Sequence, residues 1–186
     1  MAAAPHYADY DPDACRRSDV TVAVRAADTG GFRDADAAAH LAADVYGGAP
    51  DAWRDRLTRS LHRPGSLLAI AEVGGEVAGY GKAAHCSPVD DADPAPAGRY
   101  LTGLIVAPRW RRCGVGEALT RWRLERIHAD GEPTYFFTNV RNAASIALHA
   151  QLGFVEVGRA SSYLGEPFAG GSGVLMRCDL HPLDEH

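Results

Sequence analysis

One stretch in the middle of the chain limits the possible folds more than any other feature. A strand pattern covers Tyr100–Val106 and stops before Pro108, and a basic loop containing glycine follows it. A helix pattern then runs from Val115 to about Ala129, with one apolar face at i, i+3, i+4 and i+7. Thr134–Asn139 is again strand-like. Strand, helix and strand in this order predict two parallel strands joined by a right-handed crossover.

The rest of the chain predicts further strands and helices around this unit. Residues 1–19 are polar and aperiodic and predict a flexible tail, whereas residues 20–186 predict a single domain. The expected strands are 20–25, 67–73, 77–86, 154–160 and 174–180, with Gly74-Gly75 as a hairpin turn. The expected helices are 34–46, 52–62 and 142–152. Two loops complete the chain, the Pro/Asp-rich Ser87–Gly98 and the Gly-rich Ser161–Gly173.

Composition excludes several classes of function. The net charge of -5 over 186 residues lacks the basic field of a nucleic-acid-binding protein. The four cysteines form no CxxC pair and have no histidine at zinc-ligand spacing, so no metal is expected. The N-terminal stretch has no apolar signal region, and no apolar run is long enough to span a membrane. A cytoplasmic protein with reduced thiols is therefore expected.

The loop between the central strand and helix has the chemistry of an anion site. The first N–H groups of a helix lack intrahelical acceptors, and the helix dipole adds positive potential there. Gly114 and Gly116 would let the backbone approach phosphate oxygens, while Arg111 and Arg112 can donate charged hydrogen bonds. Taken alone, the pattern equally fits a glycine-rich turn with solvated arginines. No Walker A lysine follows, and the glycine spacing differs from that of dinucleotide-binding folds.

Two motifs together carry a family resemblance. Arg111-x-x-Gly114-x-Gly116 resembles the acyl-CoA pyrophosphate loop of the GNAT acetyltransferases, Q/R-x-x-G-x-G/A. The segment 142–154, NAASIALHAQLGF, resembles the second signature of that family, N-x-x-A-x-x-L-Y-x-x-x-G-F. The resemblance covers about residues 20–180. It implies a mixed, mostly antiparallel sheet of six to seven strands flanked by about four helices. A parallel strand pair would splay apart to hold acyl-CoA.

The resemblance also implies a site for acetyl-CoA as the acetyl donor. A bulge in the central strand would expose backbone groups to the pantetheine arm. A backbone N–H near Ile105 or Val106 would stabilise the oxyanion. The residues expected to bind the donor are Leu104, Ile105, Val106, Arg111, Arg112, Cys113, Gly114, Val115, Gly116, Glu117, Asn142 and Ser145. For Asn142 a helix N-cap is an equally good interpretation.

The sequence departs from the family pattern at the expected catalytic positions. His149 stands where the family usually has a tyrosine that protonates the leaving thiolate. A histidine can donate that proton when charged, or it can merely pack near the sulfur. Thr102 and Gly103 fill the place of a glutamate base. His85 is the preferred substitute base, and the other candidates are Glu72, Asp90 and Asp91.

The function expected from the resemblance is acetyl transfer to a primary amine of a small molecule in a ternary complex. Asp90 and Asp91 lie in an acidic loop that would suit a cationic acceptor, such as an aminoglycoside or a polyamine. Two alternatives stay open. One is an acetyltransferase for protein N-termini or lysines, and the other is an acyl-CoA sensor without turnover. The resemblance leaves a homodimer open.

Overall fold

A computed structural model describes residues 19–28, 32–62, 65–127 and 132–179, with the side chain of residue 32 excepted. These residues fall into two compact units. The first contains residues 19–28, 32–62, 65–84 and 101–123, and the second contains residues 85–100, 124–127 and 132–179. The predicted tail lies outside the described residues except for Asp19.

The first unit contains the N-terminal strands and helices. Strands β1 (Ala23–Ala26), β2 (Leu67–Val73) and β3 (Glu76–Cys86) pair antiparallel in that order, and β4 (Gly98–Val106) follows β3. Helices α1 (Phe32–Tyr46) and α2 (Pro50–Leu61) pack on each other and bury Leu57, Ile70 and Tyr80 in one core cluster. Helix α3 (Val115–Ile127) buries Val115 and Leu119 in another cluster. β3, β4 and α3 each continue into the second unit.

The second unit contains the C-terminal strands. β4, β5 (Thr134–Asn139), β9 (Gly173–Cys178) and β6 (Val155–Ala160) are neighbours in that order. β5 pairs parallel with β4 at Arg99↔Thr134 and Tyr100↔Tyr135, whereas β9 is antiparallel to both β5 and β6. Helix α4 (Ala143–Gln151) follows β5. An aromatic cluster that includes Tyr100, Tyr135 and Tyr163 forms the core here.

The predicted fold class is confirmed. The described residues form a seven-stranded, mostly antiparallel sheet with a parallel β4–β5 pair and four α-helices. The hairpin and β5 occur where the sequence predicts them, because strong periodicity and a Gly-Gly turn define their ends. α2 begins at Pro50, two residues earlier than predicted, because proline is well suited to the first turn of a helix. The predicted ends of the third helix at Ala129 and of the last strand at Leu180 lie outside the described residues.

A small hairpin interrupts the glycine-rich connection that was expected to have no strands. β7 (Ser162–Tyr163) and β8 (Glu166–Pro167) pair antiparallel around Leu164 and Gly165, whose φ values are 52° and 74°. Two successive residues with positive φ are characteristic of the two-residue turns that match strand twist. Strands of two residues are too short to give a periodic signal, so the sequence pattern missed them.

Candidate functional site

The loop before α3 is shaped to present backbone amides. Arg112 and Gly114 both have positive φ, 62° and 79°, on either side of the buried Cys113. The Ala118 amide makes the first helical bond, to the Gly114 carbonyl at 2.9 Å, so the amides of Val115 and Gly116 precede it. Amides at a helix N-terminus after such a turn form an anion-binding concavity. An anionic group such as a pyrophosphate therefore fits this loop.

The side chains of the loop divide between the core and the surface. Cys113 and Val115 are buried and anchor the loop in the cluster of Leu119. Arg111 is half-buried and Arg112 is exposed. Glu117 accepts a hydrogen bond from Arg121 Nε at 3.2 Å, in the first turn of α3. Its carboxylate is thus held by a neighbouring cation beside the loop.

The backbone of β4 changes direction immediately before the segment expected to bind the donor. Gly103 has φ of 57°, in the left-handed region, and a Cβ added there would lie 2.7 Å from Cε of Lys82. After this residue the Ala107 amide donates to the Ala78 carbonyl of β3 at 2.9 Å. Backbone groups alternate between the two edges along a strand. The N–H and C=O groups of Leu104 and Val106 consequently point away from β3, whereas the carbonyl of Ile105 points towards Gly79.

In the second unit, α4 carries three of the predicted residues. Asn142 is the N-cap, since its Oδ1 accepts from the Ser145 amide at 3.4 Å while its Nδ2 donates to Thr138 Oγ1 at 3.0 Å. The capping interpretation of Asn142 therefore applies, and it orients the helix start against β5. The Ser145 carbonyl accepts from His149 Nδ1 at 2.8 Å. The three residues thus form one hydrogen-bonded row along α4.

His149 lies in an aromatic environment. It is 1% exposed, stacks on Phe136 with ring centroids 3.6 Å apart, and meets Phe154 edge-on at 5.1 Å. Because a carbonyl only accepts, Nδ1 must donate to Ser145, and the neutral ring then has its lone pair at Nε2. Proton donation from Nε2 requires the imidazolium form. The ring's position is fixed by this bond and by both phenyl rings.

The residues predicted to act on the acceptor lie at the end of β3 and in the following loop. His85, Asp90 and Asp91 are all exposed. Asp90 Oδ1 accepts from the Ala92 amide at 2.9 Å within the loop. Glu72, another candidate base, is bound to Arg25 at 2.8 Å in the first unit. Its Oε1 accepts from both Nε and Nη2 of Arg25, so this carboxylate is engaged by a guanidinium.

A third aspartate of the same loop has an internal role. Asp93 accepts from the amides of Val89 at 3.1 Å, Ala95 at 3.0 Å and Leu164 at 3.2 Å. Desolvation opposes the ionised form, but these three donors outweigh it and hold the pKa of Asp93 below its usual value. Its carboxylate thereby joins the acidic loop to the β7–β8 turn, where Leu164 has the unfavourable positive φ.

The sequence reasoning missed Arg123, the largest fully buried side chain among the described residues. Burial lowers the pKa of its guanidinium to about 9, so it remains charged at neutral pH. The helix pattern did not predict this burial, because an arginine normally lies on the solvent-exposed face of a helix. One signal was available: Gly79 and Gly81 in a buried strand indicate a close neighbour, and Gly81 packs against this guanidinium.

The described residues contain neither a candidate metal site nor a candidate membrane-spanning helix. No group of three or more His, Cys, Asp or Glu side chains could hold a metal ion in that part of the chain. Within the same residues, no helix is long and apolar enough to cross a membrane.

These features define a class of protein, an α/β fold in which a helix N-terminus after a central strand can hold an anion. The family model described as the acetyltransferase (GNAT) family matches residues 35–154. The chain belongs to this family and is an N-acetyltransferase enzyme. No curated protein matches the sequence.

Solved structures with the same fold have different acceptors in their names. The ribosomal-protein-S18-alanine N-acetyltransferase from Escherichia coli has a TM-score of 0.62 and 20% identity, over 89% of this chain and 99% of that chain. An aminoglycoside 6'-acetyltransferase type Ii has a TM-score of 0.65 and 17% identity, over 86% of this chain and 98% of that chain. A chimeric spermidine N-acetyltransferase from Vibrio cholerae has a TM-score of 0.58 and 15% identity, over 84% of this chain and 94% of that chain. At such identities the likeness concerns the fold alone.

Proposed function

We propose that the enzyme transfers the acetyl group of acetyl-CoA to a primary amine of a small molecule, by direct attack in a ternary complex. The observation that carries the donor assignment is the loop at 111–116, where positive φ at Arg112 and Gly114 turns the chain into the amides that begin α3. Bound acetyl-CoA supplies the acetyl group as a thioester. The loop amides and Arg111 bind its pyrophosphate in this proposal.

The backbone of β4 is proposed to orient the thioester. Leu104 and Val106 direct their backbone groups away from β3, so they are open to hydrogen bonding with an amide-containing arm. Between the two oxyanion donors considered from the sequence, this geometry favours the Val106 N–H over that of Ile105. The Ile105 side chain is buried in the core and contributes by fixing the strand.

Proton transfer is assigned to two histidines. His149 donates a proton to the leaving thiolate from Nε2, with Nδ1–H held by the Ser145 carbonyl at 2.8 Å. His85, exposed near the end of β3, removes a proton from the ammonium form of the acceptor, directly or through water. Cys113 is an unsuitable acyl carrier because it is buried within the phosphate loop, which supports direct transfer.

The acceptor is proposed to be cationic. Asp90 and Asp91 are exposed on a loop that the Asp93 carboxylate fixes through three amides. A fixed pair of carboxylates attracts an ammonium group more effectively than a flexible pair, because less conformational entropy is lost on binding. Aminoglycosides and polyamines both offer the required closely spaced ammonium groups.

A panel of acceptors tests this proposal against its alternatives. The release of free CoA is measured with aminoglycosides, polyamines, amino acids, an N-terminal peptide and a lysine peptide, each at equal concentration. We expect the polycationic small molecules to give the highest kcat/KM. A preference for either peptide would instead favour the protein acetyltransferase, and CoA binding without turnover of any amine would favour the sensor.

Location and assembly are part of the same proposal. We place the enzyme in the cytoplasm, where thiols such as that of the buried Cys113 stay reduced. Analytical ultracentrifugation of the purified protein would test the homodimer that the resemblance leaves open.

A further inference from the structure

Arg123 is a buried cation whose hydrogen-bond partners in the described part of the chain are all neutral. Its side chain is 0% exposed. Nε donates to the Leu119 carbonyl at 3.0 Å, and Nη1 donates to the carbonyls of Lys82 at 2.8 Å and Thr102 at 3.4 Å. Nη2 donates to Thr120 Oγ1 at 3.1 Å. Burying a charge without an opposite charge is costly, and an apolar residue would fill a core position at lower cost.

The strand beneath Arg123 is adapted to it. A Cβ added to Gly81 would lie 2.8 Å from both Cζ and Nε of Arg123, a distance that real Cβ atoms do not tolerate. Glycine in the interior of a strand is itself unfavourable, and here it provides the space that the guanidinium occupies. Two locally unfavourable residues, Arg123 and Gly81, therefore fit each other, and their combined cost calls for a role beyond filling the core.

The hydrogen bonds of Arg123 connect the two parts of the proposed donor site that lie in the first unit. Towards β4, Nη1 reaches the carbonyl of Thr102, which immediately precedes the turn of the strand at Gly103. Towards the loop, Nη2 reaches Thr120 Oγ1, which in turn donates to the Gly116 carbonyl at 2.8 Å. A continuous row of hydrogen bonds thus joins Gly116 to Thr102, which lies two residues before the strand segment Leu104–Val106.

We propose that Arg123 is a positioning residue that fixes the phosphate loop and the donor-binding segment of β4 relative to each other. The inference rests on the proposed function, in which the loop binds pyrophosphate and β4 binds the pantetheine arm. A donor that contacts both parts gains affinity only when their spacing matches its own. Arg123 sets that spacing through the Thr102 carbonyl on the strand side and the Thr120 hydroxyl on the loop side, and its planar, multiply donating head reaches both at once.

Two variants separate positioning from core packing. Arg123→Met keeps an unbranched side chain but removes every hydrogen bond to β3, β4 and Thr120. Thr120→Val keeps the shape of the side chain and removes only the link to the loop. Arg126→Met is the matched control, because Arg126 is an exposed arginine on the same helix. Titration with CoA and with pantetheine, which lacks the pyrophosphate, gives dissociation constants for each protein, and thermal unfolding gives Tm.

We expect Arg123→Met to raise the dissociation constant for CoA at least tenfold and also to raise that for pantetheine. Thr120→Val should raise the dissociation constant for CoA about threefold to tenfold. It should leave that for pantetheine within twofold of wild type, because the hydrogen bond from Thr120 ends at Gly116 in the loop. The control variant should match wild type in both affinities. Arg123→Lys should recover part of the CoA affinity lost in the Met variant, since an ammonium can still donate to one or two of the carbonyls.

A folded Arg123→Met variant with a lower Tm and unchanged affinities would overturn the proposal and leave Arg123 as a core residue only. If that variant does not fold, Thr120→Val decides the question, and wild-type CoA affinity in that variant would equally overturn it. Failure of the proposed function has a different signature. In that case the wild-type protein itself would not bind CoA.

Discussion

At the scale of single residues, the phosphate loop makes the most direct prediction. We expect Gly116→Asp to abolish CoA binding while the protein remains folded, because a carboxylate would face the pyrophosphate and a Cβ would crowd its approach. Arg111→Ala should have a smaller effect and reduce the binding free energy of CoA by about 1.5–3 kcal/mol, the scale of one charged hydrogen bond. Calorimetric titration measures both effects.

The loop variants need a control for the added charge alone. Gly74→Asp introduces the same carboxylate at the β2–β3 turn, where a Cβ would meet no atom within 4 Å. The φ of 58° there carries some strain, but aspartate adopts the left-handed region more readily than most residues, and Tm measures that strain separately from CoA affinity. It should bind CoA like wild type. A folded Gly116→Asp variant with wild-type affinity would show that α3 does not begin at the pyrophosphate site.

His149 permits a test in which two substitutions share one defect. Phe and Tyr at this position both lose the Nδ1 bond to the Ser145 carbonyl, so only the Tyr hydroxyl distinguishes them. If His149 protonates the thiolate, His149→Tyr should keep most of kcat and His149→Phe should lose about 10²- to 10⁴-fold. The loss should be in kcat, because the interaction arises only as the sulfur gains charge.

The measurement for His149 is kcat for both variants across pH 6 to 9 with one good acceptor. Circular dichroism and thermal unfolding check that both variants are folded. Equal kcat values for the two variants, within about tenfold of wild type, would leave His149 with a packing role. The family assignment would be unaffected.

The ionised form of Asp34 should contribute to the stability of the first unit. It accepts from Arg25 Nη1 at 2.6 Å and Nη2 at 2.8 Å and from the Asp28 amide at 2.7 Å. The hydrogen bonds from Arg25, helped by the Asp28 amide, outweigh desolvation and hold the pKa of Asp34 below its usual value. This stabilisation is therefore complete above the unfolded-state pKa, near 3.9, and is lost as pH falls through the lower folded-state value.

We accordingly expect Asp34→Asn to reduce the free energy of unfolding at pH 7 by roughly 1–3 kcal/mol. The difference from wild type should shrink as the pH falls below about 4. Urea titrations at pH 7 and pH 3.5 measure it. Asp51→Asn is a suitable control, because that carboxylate is far more exposed in its pair with Arg54. A difference that stays constant between the two pH values would contradict the role of the Asp34 charge.

At the scale of elements, the acidic loop and the β7–β8 hairpin form one structure through Asp93. We expect the double variant Asp90→Asn, Asp91→Asn to raise KM for a polycationic acceptor while KM for acetyl-CoA stays unchanged. The effect should shrink at 1 M salt, where exposed charges are screened within about 3 Å. Initial rates at low and high salt provide the measurement.

The variant Asp93→Asn tests whether the order of the acidic loop, separately from the charges of Asp90 and Asp91, affects acceptor binding. It should lower Tm and loosen the loop, because an amide side chain accepts from three backbone amides less well than a carboxylate does. Its effect on the acceptor KM should persist at high salt, since the cause is geometry. An unchanged acceptor KM in the Asp90/Asp91 double variant at low salt would remove this loop from the acceptor site.

The elements also show what sequence reasoning can and cannot reach. The β2–β3 hairpin and β5 were predicted because periodicity and turn residues are local signals. β1 begins at Ala23 rather than Val20, since a strand exists only where a partner pairs with it. Arg123 was missed because its burial depends on Gly81, 42 positions earlier, and no local pattern links the two. The loop residues were predicted from a motif, and the N-cap role of Asn142 was one of two sequence interpretations. The role of Asp93 became visible only in the structure, because one of its three donors, the Leu164 amide, lies 71 positions away.

At the scale of the whole molecule, the net charge of -5 influences which partners approach the enzyme. Such a surface steers cations inward and repels anions, so the anionic donor depends on local features to bind. Two arginines and a helix N-terminus concentrated in the loop at 111–116 provide them. The molecule thus combines a global field suited to a cationic acceptor with a local field suited to the donor.

Donor binding should therefore be visible in the stability of the whole protein. A ligand that binds only the folded state at a hundredfold excess over its Kd adds about 2.7 kcal/mol. For a protein of this size each kcal/mol raises Tm by about 2–4 °C, so saturating acetyl-CoA should raise Tm by roughly 5–10 °C. Because no metal group is required by the proposal, the shift should be the same in EDTA. Gly116→Asp should show no shift, which ties the effect to the loop. Unchanged melting of the wild-type protein with acetyl-CoA in EDTA would mean that the donor does not bind as proposed.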